Sequence, residues 1–299
     1  MPLKKVLITG PNGFIGSKIA ENLSKNPSLN VFGCGKGVNR LPNVSIIYHE
    51  IDLTSLAEMR LLFSQINPDV IIHCAAISQV DICENNPDLC FEVNTTVTSN
   101  IVDIIIHSNT HLIYFSSDFV FDGINDWYDE NECSEPISRY GESKRRGEMA
   151  VEKLTNWSII RPVLVYGYSK SASRGNFFTW VRDGLSNGEK LNIVTDQFRT
   201  PTFIGDVVKL VERIINNPLN GNFNIGGAEK ISIYDFAVQI AEVCGLNSAY
   251  LSTSESKDVA NANLRPSNSC FTNSRIIECY DFNPKGIADG LKEAVKQVN

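Results

Sequence analysis

The first half of the chain alternates short, continuously apolar runs with stretches whose apolar residues recur every three or four positions. Residues 5–9 form such a run. A glycine-rich turn follows, and Ile15, Ile19 and Leu23 then share one helical face. Residues 30–34 and 45–51 read as the second and third strands. A helix carrying Leu56, Met59, Phe63 and Ile66 comes next, then an apolar strand at 69–74. The same rhythm predicts a long helix over 89–107, a strand at 111–116, a helix over 140–154 and a strand at 157–161. Strands that are apolar throughout are buried on both faces, as in a parallel sheet covered by helices. The expected fold class is therefore α/β, a doubly wound parallel sheet.

After Gly167 the rhythm loosens. Residues 169–175 are a polar loop, helices are expected over 176–186, 205–216 and 232–244, and a short strand at 223–225. Residues 251–269 read as polar and irregular, as suits a lobe facing a small molecule. This divides the chain into a larger unit over 1–165, joined by 195–228, and a smaller interleaved lobe made mainly from 166–194 and 229–299.

Composition narrows the class. The 299 residues are 42% hydrophobic and 20% charged, as in an ordinary globular protein. No apolar run approaches the ~18 residues of a membrane span. The run Val6-Leu7-Ile8 is too short for a signal-peptide core, so the expected location is the cytoplasm. The net charge of −7 argues against a nucleic-acid binder while leaving room for a local basic pocket. Eight cysteines (Cys34, Cys74, Cys83, Cys90, Cys133, Cys244, Cys270, Cys279) form no Cys-x-x-Cys pair and read as free thiols. His49 and His73 sit in strand-like runs as packed residues, and no metal-ligand spacing stands out.

Three groups of residues carry chemistry. Gly10-Pro11-Asn12-Gly13-Phe14-Ile15-Gly16 lies between the first strand and the first helix, where glycines let the backbone approach a pyrophosphate at the helix N-terminus. The spacing is Gly-x-x-Gly-x-x-Gly, and a bare structural turn is the competing reading. After the second strand, Cys34-Gly35-Lys36-Gly37-Val38-Asn39-Arg40 contains no acid to bind a ribose 2′-hydroxyl. Lys36 and Arg40 can instead pair with a 2′-phosphate, which favours NADP(H) over NAD(H), with solvated loop cations as the alternative. Cys34 joins them as a candidate cofactor contact. The third group is Ser117, at the end of a strand, with Tyr140 and Lys144 four residues apart on one helix face. A phenol is a poor acid or base near neutrality, and a neighbouring ammonium favours its ionised form. Ser117 can bind a carbonyl oxygen while Tyr140 gives it a proton.

These residues resemble the extended short-chain dehydrogenase/reductase family, a Rossmann-fold family, over nearly the whole chain. More narrowly, four stretches resemble its dTDP-4-dehydrorhamnose reductase group: Ser116-Ser117-Asp118-Phe119-Val120-Phe121-Asp122-Gly123, Tyr140-Gly141-Glu142-Ser143-Lys144-Arg145-Arg146-Gly147-Glu148, Asp196-Gln197-Phe198-Arg199-Thr200-Pro201-Thr202 and Leu264-Arg265-Pro266-Ser267-Asn268-Ser269. The resemblance implies that Ser117, Tyr140 and Lys144 form the catalytic set. It implies that Gly10, Gly13, Phe14 and Ile15 touch the pyrophosphate, and that Asp52 and Leu53 flank the adenine. Cys74, Ala75, Ala76 and Asn94 would lie along the cofactor ribose, and Arg161, Pro162 and Val163 would border the nicotinamide. Ser78, Val80, Asp81, Asp118 and Phe119 would face the sugar. Arg199 and Arg265 would clamp a nucleotide diphosphate or tie the lobes by a structural ion pair. Homodimers are common in the family.

Two departures bear on the sugar. Leu164 stands where that group usually carries a tryptophan, and Phe119 where it carries a tyrosine. The function implied is NADP(H)-dependent reduction of a 4-keto-deoxy-sugar nucleotide. The alternatives are an epimerase or dehydratase of sugar nucleotides, a reductase of another small carbonyl, and a non-catalytic NADP-binding subunit. For the last, Val31-Phe32-Gly33-Cys34-Gly35, His73-Cys74-Ala75-Ala76 and the aliphatic Leu164 resemble the beta subunit of methionine adenosyltransferase.

Overall fold

Seven parallel strands make one sheet in the order β3-β2-β1-β4-β5-β6-β9. They are β1 (Lys4–Thr9), β2 (Leu29–Gly35), β3 (Ile47–Glu50), β4 (Val70–His73), β5 (His111–Phe115), β6 (Trp157–Pro162) and β9 (Gly221–Ile225). The order reverses at β1, so the crevice at the strands' C-terminal ends opens between β1 and β4, where doubly wound sheets take ligands. The computed structural model describes residues 3–298 apart from Pro42 and Cys133. The thiol reading of Cys133 thus lies outside the described residues, while the other seven cysteines are free.

Alternate residues of each strand feed two cores. On one face, α1 (Phe14–Leu23), with Ile19, Ala20 and Leu23 inward, covers Val6, Ile8 and Val31. On the other, α2 (Leu56–Ile66) places Met59, Leu62, Phe63 and Ile66 against Leu7 and Ile71. That spacing of apolar residues on the pattern of a helix is what the sequence predicts.

The helix expected over 89–107 is interrupted. A short α3 (Val80–Asn85), absent from the sequence reading, ends where Asn86 precedes Pro87. Proline disfavours helix in the residue before it and suits a first helical turn, so α4 (Pro87–Phe91) restarts there. Residues Glu92–Thr96 then form a π-helical turn leading into α5 (Val97–Ile105). The helix α6 (Arg139–Val151) is capped by Ser138, whose side chain accepts from the Gly141 amide.

Past β6, α7 (Phe177–Ser186) opens on a capping box at Asn176. It is followed by β7 (Leu191–Val194), β8 (Phe198–Arg199) and α8 (Ile204–Asn216). After β9 come β10 (Ile231–Ser232), α9 (Ile233–Val243), β11 (Leu251–Ser254), β12 (Asn268–Ser269), α10 (Ser274–Tyr280) and α11 (Ile287–Lys296). The stretch 195–228, expected to join the larger unit, contributes to two sheets. β9 is in the large sheet and α8 packs on α1, but β8 pairs with β10 and β12 in a separate three-stranded sheet. Residues 251–269 are likewise less irregular than their polarity suggests, since β11 pairs with β7 and β12 with β8. Among the described residues, no helix is long and apolar enough to cross a membrane.

Candidate active site

The glycine loop closes the C-terminal end of β1. Gly10 has φ +67, its amide donates to the Cys34 carbonyl at 2.9 Å, and a Cβ there would stand 2.9 Å from the Ala75 Cα. Only glycine fits that crossing. Gly13 caps α1 without a side chain, so the first-turn amides of Phe14 and Ile15 are presented to an anion. The cradle therefore suits a pyrophosphate.

Asn12 and Tyr48, neither of which the sequence reading singled out, fix the neighbouring loop. Asn12 Nδ2 donates to the Val38 carbonyl at 3.0 Å, its Oδ1 accepts from the Arg40 amide at 3.0 Å, and the Tyr48 hydroxyl donates to the Gly37 carbonyl at 2.7 Å. Lys36 and Arg40 both stand exposed on this loop. Lys36 Nζ lies 3.2 Å from Asp52 Oδ2, and Asp52, bonded by Thr54 and Lys36, is held below the usual carboxylate range. Cys34, grouped with these residues as a candidate contact, is buried under α2, and burial pushes its thiol up to about 12. Strand alternation turns its side chain into the core, so only its backbone meets the loop.

Across the crevice, Thr9 Oγ1 bonds His73 Nδ1 at 2.7 Å, and His73 Nε2 bonds Thr98 Oγ1 at 3.0 Å. Burial, with the Lys144 charge second, lowers His73 to about 3, so it is a neutral packed residue. Asn94 sits in the π turn. Its amide clamps both backbone groups of Ile77, at 2.8 and 2.9 Å, and donates to Ser143 Oγ at 2.9 Å. Asn94 thus ties the loop carrying Cys74, Ala75 and Ala76 to α6, from a position 1% exposed.

Ser117, Tyr140 and Lys144 meet at the same edge. Ser117 Oγ donates to Asp118 Oδ1 at 3.0 Å and accepts from the Phe119 amide at 3.2 Å. Tyr140 is 8% exposed and meets Phe119 edge-on, ring centroids 5.5 Å apart. Burial raises its phenol well above the ordinary value, and the nearby Ser117 hydroxyl offsets part of the rise. Lys144, one turn further along α6, holds its ammonium 4.2 Å from the centre of the Tyr114 ring. Burial lowers it to about 8, against the pull of Glu148.

Several residues assigned by resemblance have other partners. The Arg161 guanidinium grips Glu148 with two bonds, at 2.7 and 2.8 Å, beneath Phe121. Pro162 and Val163 are buried beside it. Asp118 is 3% exposed, with both oxygens taken by the protein: Ser117 on one, Ser269 and Arg199 on the other. Its carboxylate is a tie between lobes. Arg199 accordingly forms a buried ion pair, 3.8 Å from Asp118. Arg265 reaches Asp81 at 3.2 Å across the crevice, where Asn261 also bonds Asp81. Val80 packs on Tyr140 with Cys83 and Cys90, while Ser78 is exposed. Leu53 is buried against α2. Leu164 takes φ +35, a strained conformation for a side-chain-bearing residue at the end of β6.

The polar loop 169–175 turns out to span the crevice. Ser169 bonds Ser17 at 2.8 Å, the Ser173 amide donates to the Asn12 carbonyl at 2.8 Å, and Arg174 donates to Gln79. Among the described residues no cluster of His, Cys, Asp and Glu would hold a metal ion.

The family model described as the RmlD substrate binding domain matches residues 4–299. The probable low-salt glycan biosynthesis reductase Agl14 of Haloferax volcanii is 30% identical over 272 residues, 90% of each chain. The methionine adenosyltransferase 2 subunit beta of Xenopus laevis is 30% identical over 257 residues, 84% of this chain and 75% of that protein. The crystal structure of dTDP-4-dehydrorhamnose reductase from Bacillus anthracis in complex with NADP superposes with a TM-score of 0.86 at 26% identity, covering 99% of this chain and 100% of that one.

Proposed function

The chain belongs to the RmlD substrate binding domain family, and from that premise we propose that it is an NADP(H)-dependent reductase of a 4-keto-deoxy-sugar nucleotide. The observation that carries the reading is Tyr140 buried near Ser117, with Lys144 one turn further along the same helix, at the strand-end edge that also bears a glycine loop fit for a pyrophosphate. The relatives support an oxidoreductase of nucleotide sugars, and one solved reductase that resembles this chain was crystallised with NADP. Lys36 and Arg40, exposed at the end of β2 on a loop with no acid between them, support NADP(H) as the cofactor.

Gly10, Gly13, Phe14 and Ile15 would hold the cofactor's pyrophosphate, and Ala75 and Ala76 would lie along its ribose. The bound nicotinamide supplies the hydride. Ser117 orients the carbonyl oxygen, and Tyr140 transfers its phenolic proton to that oxygen as negative charge develops there. Lys144, charged below about pH 8, steadies the phenolate left behind. Solvent then returns a proton to Tyr140, completing conversion of ketone to alcohol.

Residues 1–165, with α8 and β9, serve as the nucleotide-binding unit in this reading. The stretches 166–194 and 229–299 supply the substrate side, including Arg265, which reaches Asp81 of the larger unit. Free thiols at the described cysteines suit the reducing cytoplasm.

A second reading, a non-catalytic NADP-binding subunit, draws on the identity with methionine adenosyltransferase 2 subunit beta and on Leu164 in place of a sugar-stacking aromatic. Steady-state assays with a panel of keto-sugar nucleotides, using NADPH and NADH, separate the two. The reductase reading expects turnover with NADPH preferred, and a loss of about a hundredfold or more in Tyr140→Phe. Equal rates in the parent and Tyr140→Phe would reject the role of Tyr140. Absence of turnover on the whole panel, with a partner enzyme co-purifying, would favour the second reading.

A further inference from the structure

We propose that Ser269 and Arg199, from the C-terminal lobe, are positioning residues for Ser117 that act through the buried Asp118 carboxylate. The inference rests on the reading of Ser117 as the group that orients the substrate carbonyl. Asp118 lies at the end of β5 with 3% exposure, where a carboxylate persists only if donors surround it. Its Oδ1 accepts the Ser117 hydroxyl at 3.0 Å. Its Oδ2 accepts the Ser269 hydroxyl and faces Arg199 Nε at 3.8 Å.

Both of these partners come from the small sheet. Ser269 of β12 and Arg199 of β8 are register partners on adjacent strands. Arg199 is fixed in turn by the carbonyls of Phe198 at 2.7 Å and Ser267 at 3.4 Å. Gln197 accepts a further bond from Arg199 at 3.4 Å and anchors to Ser256 and the Ala262 carbonyl at 2.9 and 3.0 Å. A continuous set of contacts therefore runs from the 256–262 segment to the serine hydroxyl.

A serine hydroxyl has one proton and rotates among staggered positions unless something selects one. Asp118 makes that selection, and Ser269 and Arg199 hold Asp118 still while it does so. When a substrate carbonyl takes the Ser117 proton, Asp118 keeps its other donors and is not left as an unpaired buried charge. The lobe that binds the sugar thereby also sets the aim of a group on the nucleotide-binding sheet.

Ser269→Ala and Ser269→Thr, compared with the parent, test this. Ser269→Ala is expected to lower kcat by about tenfold to a hundredfold with the KM for NADPH unchanged, and Ser269→Thr, which keeps the hydroxyl, to recover most of the rate. Full kcat in Ser269→Ala, or a loss that Ser269→Thr does not restore, overturns the proposal. Crystal structures of the parent and Ser269→Ala provide a readout that needs no substrate. Ser117 is expected to leave its single rotamer against Asp118 in Ser269→Ala, and an unchanged rotamer overturns the proposal. If the parent reduces no keto-sugar nucleotide, the functional reading fails separately, and the rotamer alone decides the positioning.

Discussion

Tyr140 and Lys144 face opposite electrostatic demands from the same burial. Desolvation disfavours the charged form of each, raising the phenol and lowering the ammonium to about 8. Ser117 answers the first shift and Glu148 the second. Lys144 therefore loses its charge from about pH 8 upward, where a free lysine keeps it to about 10.4. A pH series of kcat/KM for ketone reduction should hold to about pH 8 and fall above it, and Lys144→Met should remove that limb at a lower overall rate. Between about 8 and the unfolded value, the unfolded chain binds more protons at this lysine, so its burial penalty is full at lower pH and relieved as pH rises. At this scale the sequence makes visible what lies close along the chain, as with the four-residue spacing of Tyr140 and Lys144 on α6. It was opaque for Asp118, whose partner Ser269 lies 151 positions away. The charged residue types were recognised, but only the fold shows that Asp118, Arg161 and Arg199 are already paired within the protein.

The helix α6 shows what one element contributes. Tyr140, Lys144 and Glu148 recur at four-residue spacing and all are buried toward the sheet. Glu148 received no role from the sequence, although its spacing from Lys144 was visible. It holds the buried Arg161 with two bonds and opposes the lowering of Lys144. Glu148→Gln leaves a buried guanidinium without its counter-charge and should cost about 3–5 kcal/mol in urea unfolding. In whatever protein remains folded, the alkaline limb of activity should move to lower pH, because Lys144 loses the neighbour that favours its charge. The interrupted helix between β4 and β5 carries a related lesson. Its apolar spacing announced a helix, but the π turn at Glu92–Thr96 depends on Asn94 bonding Ile77 and Ser143, 17 and 49 positions distant. The two-residue strands β8, β10 and β12 are too short to show any period, so the small sheet left no trace in the pattern.

At the scale of the molecule, a parallel sheet brings the ends of its strands to one edge, and the chain spends its chemistry there. The glycine loop after β1, Ser117 after β5 and Tyr140 at the start of α6 are far apart in sequence and share that edge because every strand of the sheet runs the same way. The small lobe closes over it through Arg199 on Asp118 and Arg265 on Asp81. Such an arrangement suits hydride transfer within a crevice roofed by the 169–175 segment. Hydride tracing tests net reduction of a keto sugar most directly. Protein supplied with NADPH deuterated at its transferring position and a keto-deoxy-sugar nucleotide should yield an alcohol one mass unit heavier, with oxidised cofactor formed in equal amount. Unlabelled product, or cofactor that stays bound and is never consumed, would contradict it.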